Sequence, residues 1–139
     1  MRAKLLILFP FTFFQLIAGQ TTELIILHTT DVHGTVYPYD YFKDEPAGDR
    51  GLAKVHTLAE RYRRNHDHVL LLDGGDLLQG TPMVYYFNHL DTGDVNPMIR
   101  VMNIMKYDAF AVGNHDVERG PVVYDKARRE SRFPWLSAN

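Results

Sequence analysis

The sequence contains no cysteine among its 139 residues. Disulfides are therefore excluded, and so is a thiolate metal site. An excess of charge of either sign is lacking too: 15 Lys and Arg stand against 17 Asp and Glu, a formal net charge of −2. Without a strong positive field the chain is not suited to neutralising a nucleic-acid polymer. There is no internal repeat, no low-complexity tract and no Pro/Ser-rich linker after residue 20. Hydrophobic residues make up 45% of the chain, which excludes a disordered tail or a collagen-like fibre.

Only one apolar run is long, and it lies at the start. Residues 1–20 read MRAKLLILFPFTFFQLIAGQ, with Arg2 and Lys4 ahead of the apolar stretch Leu5 to Ala18 and a small residue, Gly19, after it. A basic start, a short apolar core and a small-residue exit make an export signal. A stable membrane anchor is not expected, because a span needs about 20 apolar residues and Pro10 interrupts this shorter run. Removing the signal takes away two basic residues and no acidic ones, so the remaining 119 residues carry a net charge of −4. The mature chain is then periplasmic or extracellular.

Residues 21–139 alternate strand and helix patterns. Apolar runs at Glu23–His28, His68–Leu72 and Ala109–Val112 predict strands, the first of them buried on both faces. Leu52, Val55, Ala59 and Tyr62 recur at helical spacing within Gly51–Arg64. Asn96 and Pro97 predict a cap and first-turn proline for a helix whose stripe is Met98, Val101, Met102 and Met105. A helix from about Pro121 to Arg129 and a strand within Phe133–Ser137 complete the pattern, while 35–50 reads as a loop. The alternation predicts one α/β layered domain with a largely parallel sheet.

In such folds ligands gather beyond the carboxyl ends of the strands. Each of the three strands runs into a cluster of polar residues. The first meets Thr29-Thr30-Asp31-Val32-His33-Gly34, the second Asp73-Gly74-Gly75-Asp76 and the third Gly113-Asn114-His115-Asp116. Asp31 and His33 are two apart, so in extended chain they share a face and can reach one metal. Either Asp73 or Asp76 can point into the site, and its two oxygens can bridge two cations. Asn114 offers a carbonyl oxygen and His115 a ring nitrogen, with Asp116 and Glu118 close enough to fix its tautomer.

Taken in order, the strings Ile26–Gly34, Asp73–Gly80, Val112–Asp116 and Phe133–Asn139 resemble the calcineurin-like metallophosphoesterases, in particular the 5'-nucleotidase and 2',3'-cyclic-nucleotide 2'-phosphodiesterase branch. The resemblance implies a layered α-β-β-α sandwich, of which this chain supplies the first half. It implies two divalent metal ions (Mn, Zn, Fe or Co), with Asp31 and His33 on the first, Asp76 bridging and Asn114 on the second. His115 is then a catalytic residue that contacts the phosphate. Its acidic partner is Glu118 in preference to Asp116, because i and i+3 face each other on a helical turn. The implied substrate is a nucleotide phosphomonoester, a cyclic nucleotide or another small phosphate ester. A sulfur ester or a sugar nucleotide on the same scaffold is an alternative, as is a non-catalytic chain.

The family also uses later histidines, in a lone G-H and a G-H-x-H string, and this sequence has neither. His56, His66, His68 and His89 are expected to be solvated or packed residues and not ligands. The separate nucleoside-binding domain of the family is missing too. The expectation is therefore an N-terminal part of a longer enzyme with an incomplete metal site, whose activity alone is doubtful. Tyr37, Tyr39, Tyr41 and Phe42 offer rings for stacking on a base, although loop aromatics more often pack onto their own domain.

Overall fold

The computed structural model describes residues 21–137; the expected export signal at 1–20 lies outside them. Strand β1 (Ile25–Thr29) leads through the two-residue strands β2 (Tyr39–Asp40) and β3 (Glu45–Pro46) into helix α1 (Leu52–Asn65). Then come β4 (Val69–Asp73), α2 (Pro82–His89), α3 (Pro97–Met105), β5 (Ala109–Ala111), α4 (Asn114–Val117), α5 (Pro121–Glu130) and β6 (Trp135–Leu136). The main sheet has the order β1-β4-β5-β6, every pair parallel. No helix among the described residues is long and apolar enough to cross a membrane.

A sheet that grows in one direction through right-handed crossovers collects its helices on one face. Burial follows that rule. Leu71, Asp73 and Phe110 are buried and lie on one face of the sheet. They join Leu52 and Ala59 of α1, Met98, Ile99, Met102 and Met105 of α3, and Val123 and Ala127 of α5 in one core. On the other face Ile26 is 57% exposed and Leu136 51%. The expectation that β1 is buried on both faces therefore fails. β1 alternates between half-buried and exposed residues, because it is an edge strand and no described helix covers its second face.

The strong local signals hold. Asn96 caps α3, its side-chain oxygen accepting from the N–H groups of Met98 and Ile99, with Pro97 in the first turn. Two helices are additional to the sequence reading. α2 (PMVYYFNH) is nearly apolar all round, so it shows no stripe, and α4 has only four residues. His89 is the last residue of α2. The 35–50 segment also carries more order than a plain loop. β2 and β3 pair antiparallel, Asp40 Oδ1 accepts from the N–H groups of Phe42 and Lys43, and the Tyr39 hydroxyl donates to Asp44 at 2.6 Å.

Candidate metal centre

Backbone hydrogen bonds tie the first two polar clusters together. Asp31 N–H donates to Gly75 O at 3.0 Å, His33 N–H to Asp76 O at 3.0 Å, and Gly74 N–H to Thr29 O at 2.8 Å. The chain is not extended here, contrary to the sequence reading. Asp31, His33 and Asp76 all lie in the left-handed region, with φ of 53°, 48° and 61°. Non-glycine residues adopt that region at a cost, and such strain concentrates at functional sites. One donor atom each from Asp31, His33 and Asp76 falls within 4.8 Å of the others. His33 Nε2 is 3.9 Å from Asp31 Oδ1, and the Thr30 hydroxyl donates to the other Asp31 oxygen at 2.6 Å. Two carboxylate oxygens and an imidazole nitrogen converging in this way fit a divalent cation of the borderline type.

The third cluster docks on the second through glycines. A Cβ on Gly75, at φ 101°, would come within 2.5 Å of Gly113 N, and a Cβ on Gly113 would overlap the Asp76 carboxylate. Only glycine at both positions lets the two loops touch. His115 N–H then donates to Asp76 Oδ1 at 2.9 Å, and the His115 and His33 rings meet edge to face at 5.4 Å. Asn114 is exposed at the start of α4, directly after the glycine that packs on Asp76.

The two acids near His115 part ways. Glu118 lies 2.9 Å from His115 Nδ1, which fixes the ring and leaves Nε2 for other contacts. Asp116 is fully buried and points the other way. Its carboxylate accepts from the backbone N–H groups of Asp76, Leu77, Leu78 and Gly113, at 2.9 to 3.0 Å. Asp116 thus holds the turn that presents Asp76, a positioning role that the sequence reading missed. The available signal was a Gly-Gly-Asp-Leu-Leu turn whose N–H groups need an acceptor.

Of the two acids after β4, Asp76 faces the site and Asp73 turns into the core. Asp73 accepts from the Thr29 hydroxyl at 2.5 Å and from Gly75 N–H at 2.8 Å, and Thr29 Oγ1 lies 2.9 Å from the Tyr107 hydroxyl. Burial pushes the Asp73 carboxyl up to about 6, against the lowering effect of those two hydrogen bonds. Burial likewise pushes the Tyr107 hydroxyl up to about 12.

His56, His66, His68 and His89 contribute no donor to the Asp31, His33 and Asp76 group. His66 pairs with Glu23 at 3.0 Å, His89 packs on Tyr85 and His56 keeps a buried Nδ1 with no hydrogen-bond partner. His68 is exposed just before β4. The loop aromatics do not all pack inward. Tyr37 and Tyr41 are 61% exposed and Phe42 is 78% exposed, while Tyr39 is half-buried against Tyr41.

The profile of the calcineurin-like phosphoesterases matches residues 24–139. The chain is 37% identical over 128 residues to the trifunctional nucleotide phosphoesterase protein YfkN of Bacillus subtilis, an alignment covering 88% of this chain and 9% of that protein. It is 34% identical over 121 residues to a 2',3'-cyclic-nucleotide 2'-phosphodiesterase/3'-nucleotidase of Yersinia enterocolitica, covering 86% of this chain and 19% of that one. The crystal structure of the YfkN calcineurin-like phosphoesterase superimposes with a TM-score of 0.76 at 38% identity, covering 84% of this chain and 36% of that one. The chain therefore spans between about a tenth and a fifth of the length of these two relatives.

Proposed function

The chain belongs to the calcineurin-like phosphoesterase family, and from that premise we propose that it hydrolyses phosphate esters of nucleotides, as monoesters or as 2',3'-cyclic esters, at a two-metal centre. The observation that carries this reading is the convergence of Asp31, His33 and Asp76 beside a His115–Glu118 pair. Asp31 and His33 would hold a first divalent cation and Asn114 a second, with Asp76 available to both. Divalent cations held there would supply positive charge against the phosphoryl oxygens and make an attacking water more acidic.

The remaining work falls to side chains. Glu118 accepts the proton on His115 Nδ1 and orients the ring, so that Nε2, when it also carries a proton, donates it to a phosphoryl oxygen or to the leaving oxygen. Asp116 keeps the Asp76 turn rigid while charge moves nearby. An export signal, expected at residues 1–20 from the sequence, would put the reaction outside the cytoplasm.

The test is release of phosphate from AMP and from 2',3'-cyclic AMP by the purified protein with Mn2+, with bound metal measured alongside. Asp76→Ala should lower metal affinity at least about tenfold, as loss of a ligand or its support does. His115→Ala should cut turnover about a hundredfold or more while leaving bound metal unchanged. Loss of metal together with turnover in His115→Ala refutes its assigned role.

A second reading is a metal-binding chain without turnover. It is favoured by the donor count: Asp31, His33, Asp76 and Asn114 fill only part of the roughly eight positions that two such cations take, water included. Metal uptake without phosphate release would select it.

A further inference from the structure

Three polar side chains meet where β1 and β4 end. Asp73 is 3% exposed and Tyr107 5%. Thr29 joins them from the last position of β1, directly across the sheet from Asp73. The Thr29 hydroxyl donates to Asp73 Oδ2, and Thr29 Oγ1 lies 2.9 Å from the Tyr107 hydroxyl. A threonine hydroxyl has one proton and the carboxylate takes it, so Tyr107 donates to Thr29. The other Asp73 oxygen accepts from Gly75 N–H at 2.8 Å.

This hydrogen-bond chain ends where the two metal-bearing loops join. Gly75 O accepts from Asp31 N–H at 3.0 Å, and Gly74 N–H donates to Thr29 O at 2.8 Å. Gly75 is thus held by Asp73 at its N–H and by Asp31 at its carbonyl, and Asp76 follows it in sequence. Asp116 holds the same turn through the N–H groups of Asp76, Leu77 and Leu78. The Asp73 side reaches both the turn and the loop of Asp31. Apolar residues of the same shape would fill this part of the core without the cost of burying a carboxylate. They would supply no acceptor for Gly75 N–H. Hydrogen bonds in a dry interior are directional and reinforce one another along a chain.

We propose that Tyr107, Thr29 and Asp73 are positioning residues for the metal centre: their hydrogen-bond chain sets the Asp31 loop against the Asp76 turn, and so sets the affinity for a divalent cation. None of the three is a ligand, and they act through the backbone of Gly75. The proposal rests on the metal centre of the phosphoesterase reading and not on turnover.

The experiment reads two quantities on the purified protein: amide hydrogen exchange in EDTA, and Mn2+ affinity from the electron paramagnetic resonance of the free ion. Thr29→Val keeps the shape and removes the hydroxyl, Thr29→Ser keeps the hydroxyl, and Tyr107→Phe removes the far end of the hydrogen-bond chain. Thr29→Val should speed exchange at the Gly75 and Asp31 amides by about tenfold, as loss of one net hydrogen bond does. The Leu77 and Leu78 amides, held by Asp116, should exchange as in the parent. Mn2+ affinity should fall by about tenfold or more, the usual effect of losing a group that supports a ligand. Tyr107→Phe should move both quantities the same way by less, and Thr29→Ser should return both to parent values. A purely structural role would speed exchange across the core, Phe110 and Met102 included, in step with global stability. That pattern overturns the proposal, as does parent-like Mn2+ affinity in Thr29→Val and Tyr107→Phe, or a Thr29→Ser protein that behaves like Thr29→Val. If Thr29→Val does not fold, Tyr107→Phe decides by the same criteria. No Mn2+ uptake by the parent overturns the metal centre and the proposal together. The expected shifts in a protein that releases no phosphate support the proposal and remove the hydrolytic reading.

Discussion

Asp116 and Asp73 are both buried carboxylates, and the fold treats them in opposite ways. Asp116 collects four backbone N–H donors, which replace the water it loses. Asparagine there would turn an NH2 group toward some of those donors. Asp116→Asn should therefore lower stability by about 2–4 kcal/mol in a urea titration at pH 7, and weaken metal binding because Asp76 loses its support. Asp73 has fewer partners, and burial pushes its carboxyl up to about 6 from a starting value of 3.8. A raised folded-state value means that the protonated form is the favoured one in the fold. Its contribution to stability is fully present below pH 3.8 and is lost as pH rises through about 6. The difference corresponds to about 3 kcal/mol across that window. Asp73→Asn keeps the acceptor for Gly75 N–H and can donate to Thr29, yet carries no charge. Its stability relative to the parent protein should rise between pH 4 and pH 7, as read from paired denaturation curves. A constant difference across that range would contradict the assigned burial effect.

At the scale of elements, the caps and turns matter more than helix propensity. Asn96 caps α3 and also donates through Nδ2 to Asn88 Oδ1 at 2.9 Å, while its own N–H donates to Glu130. It joins α2, α3 and α5 at one buried point. Asn96→Ala should cost about 1–2 kcal/mol, measured by thermal melting, because the cap and a buried hydrogen bond are lost together. This cap was legible in the sequence, since Asn-Pro ahead of an apolar stripe is a local signal. Helix α2 was not, because Tyr85, Tyr86 and Phe87 follow one another and mask any periodicity. The left-handed backbone at Asp31, His33 and Asp76 was not legible either. It follows from hydrogen bonds between two loops more than forty residues apart in sequence, which no window of local pattern can contain.

At the scale of the whole molecule, a one-directional sheet leaves the described residues packed on one side. All four strands of the main sheet are parallel and their order follows the sequence, so the described helices gather on one face and Ile26 and Leu136 stay exposed on the other. An apolar sheet face open to solvent should bind a hydrophobic dye. Ile26→Lys, at an exposed position, should reduce dye fluorescence without lowering the melting midpoint. A fall in the midpoint would mean that Ile26 contributes to packing after all.

The sequence by itself determined the strand ends and the residue types that stand there. Apolar runs set where strands finish, and Asp31, His33, Asp76, Asn114 and His115 follow those ends directly in the chain. Tertiary structure decided which way each side chain points. His115 is met by Glu118 and not by Asp116 because the Asp116 carboxylate is held by N–H groups of the turn after β4, some forty residues earlier. It also decided that Asp73 sinks into the core while Asp76 faces the site. Local periodicity acts over a few residues, whereas the direction of a carboxylate is set by whichever donors the packed chain brings to it.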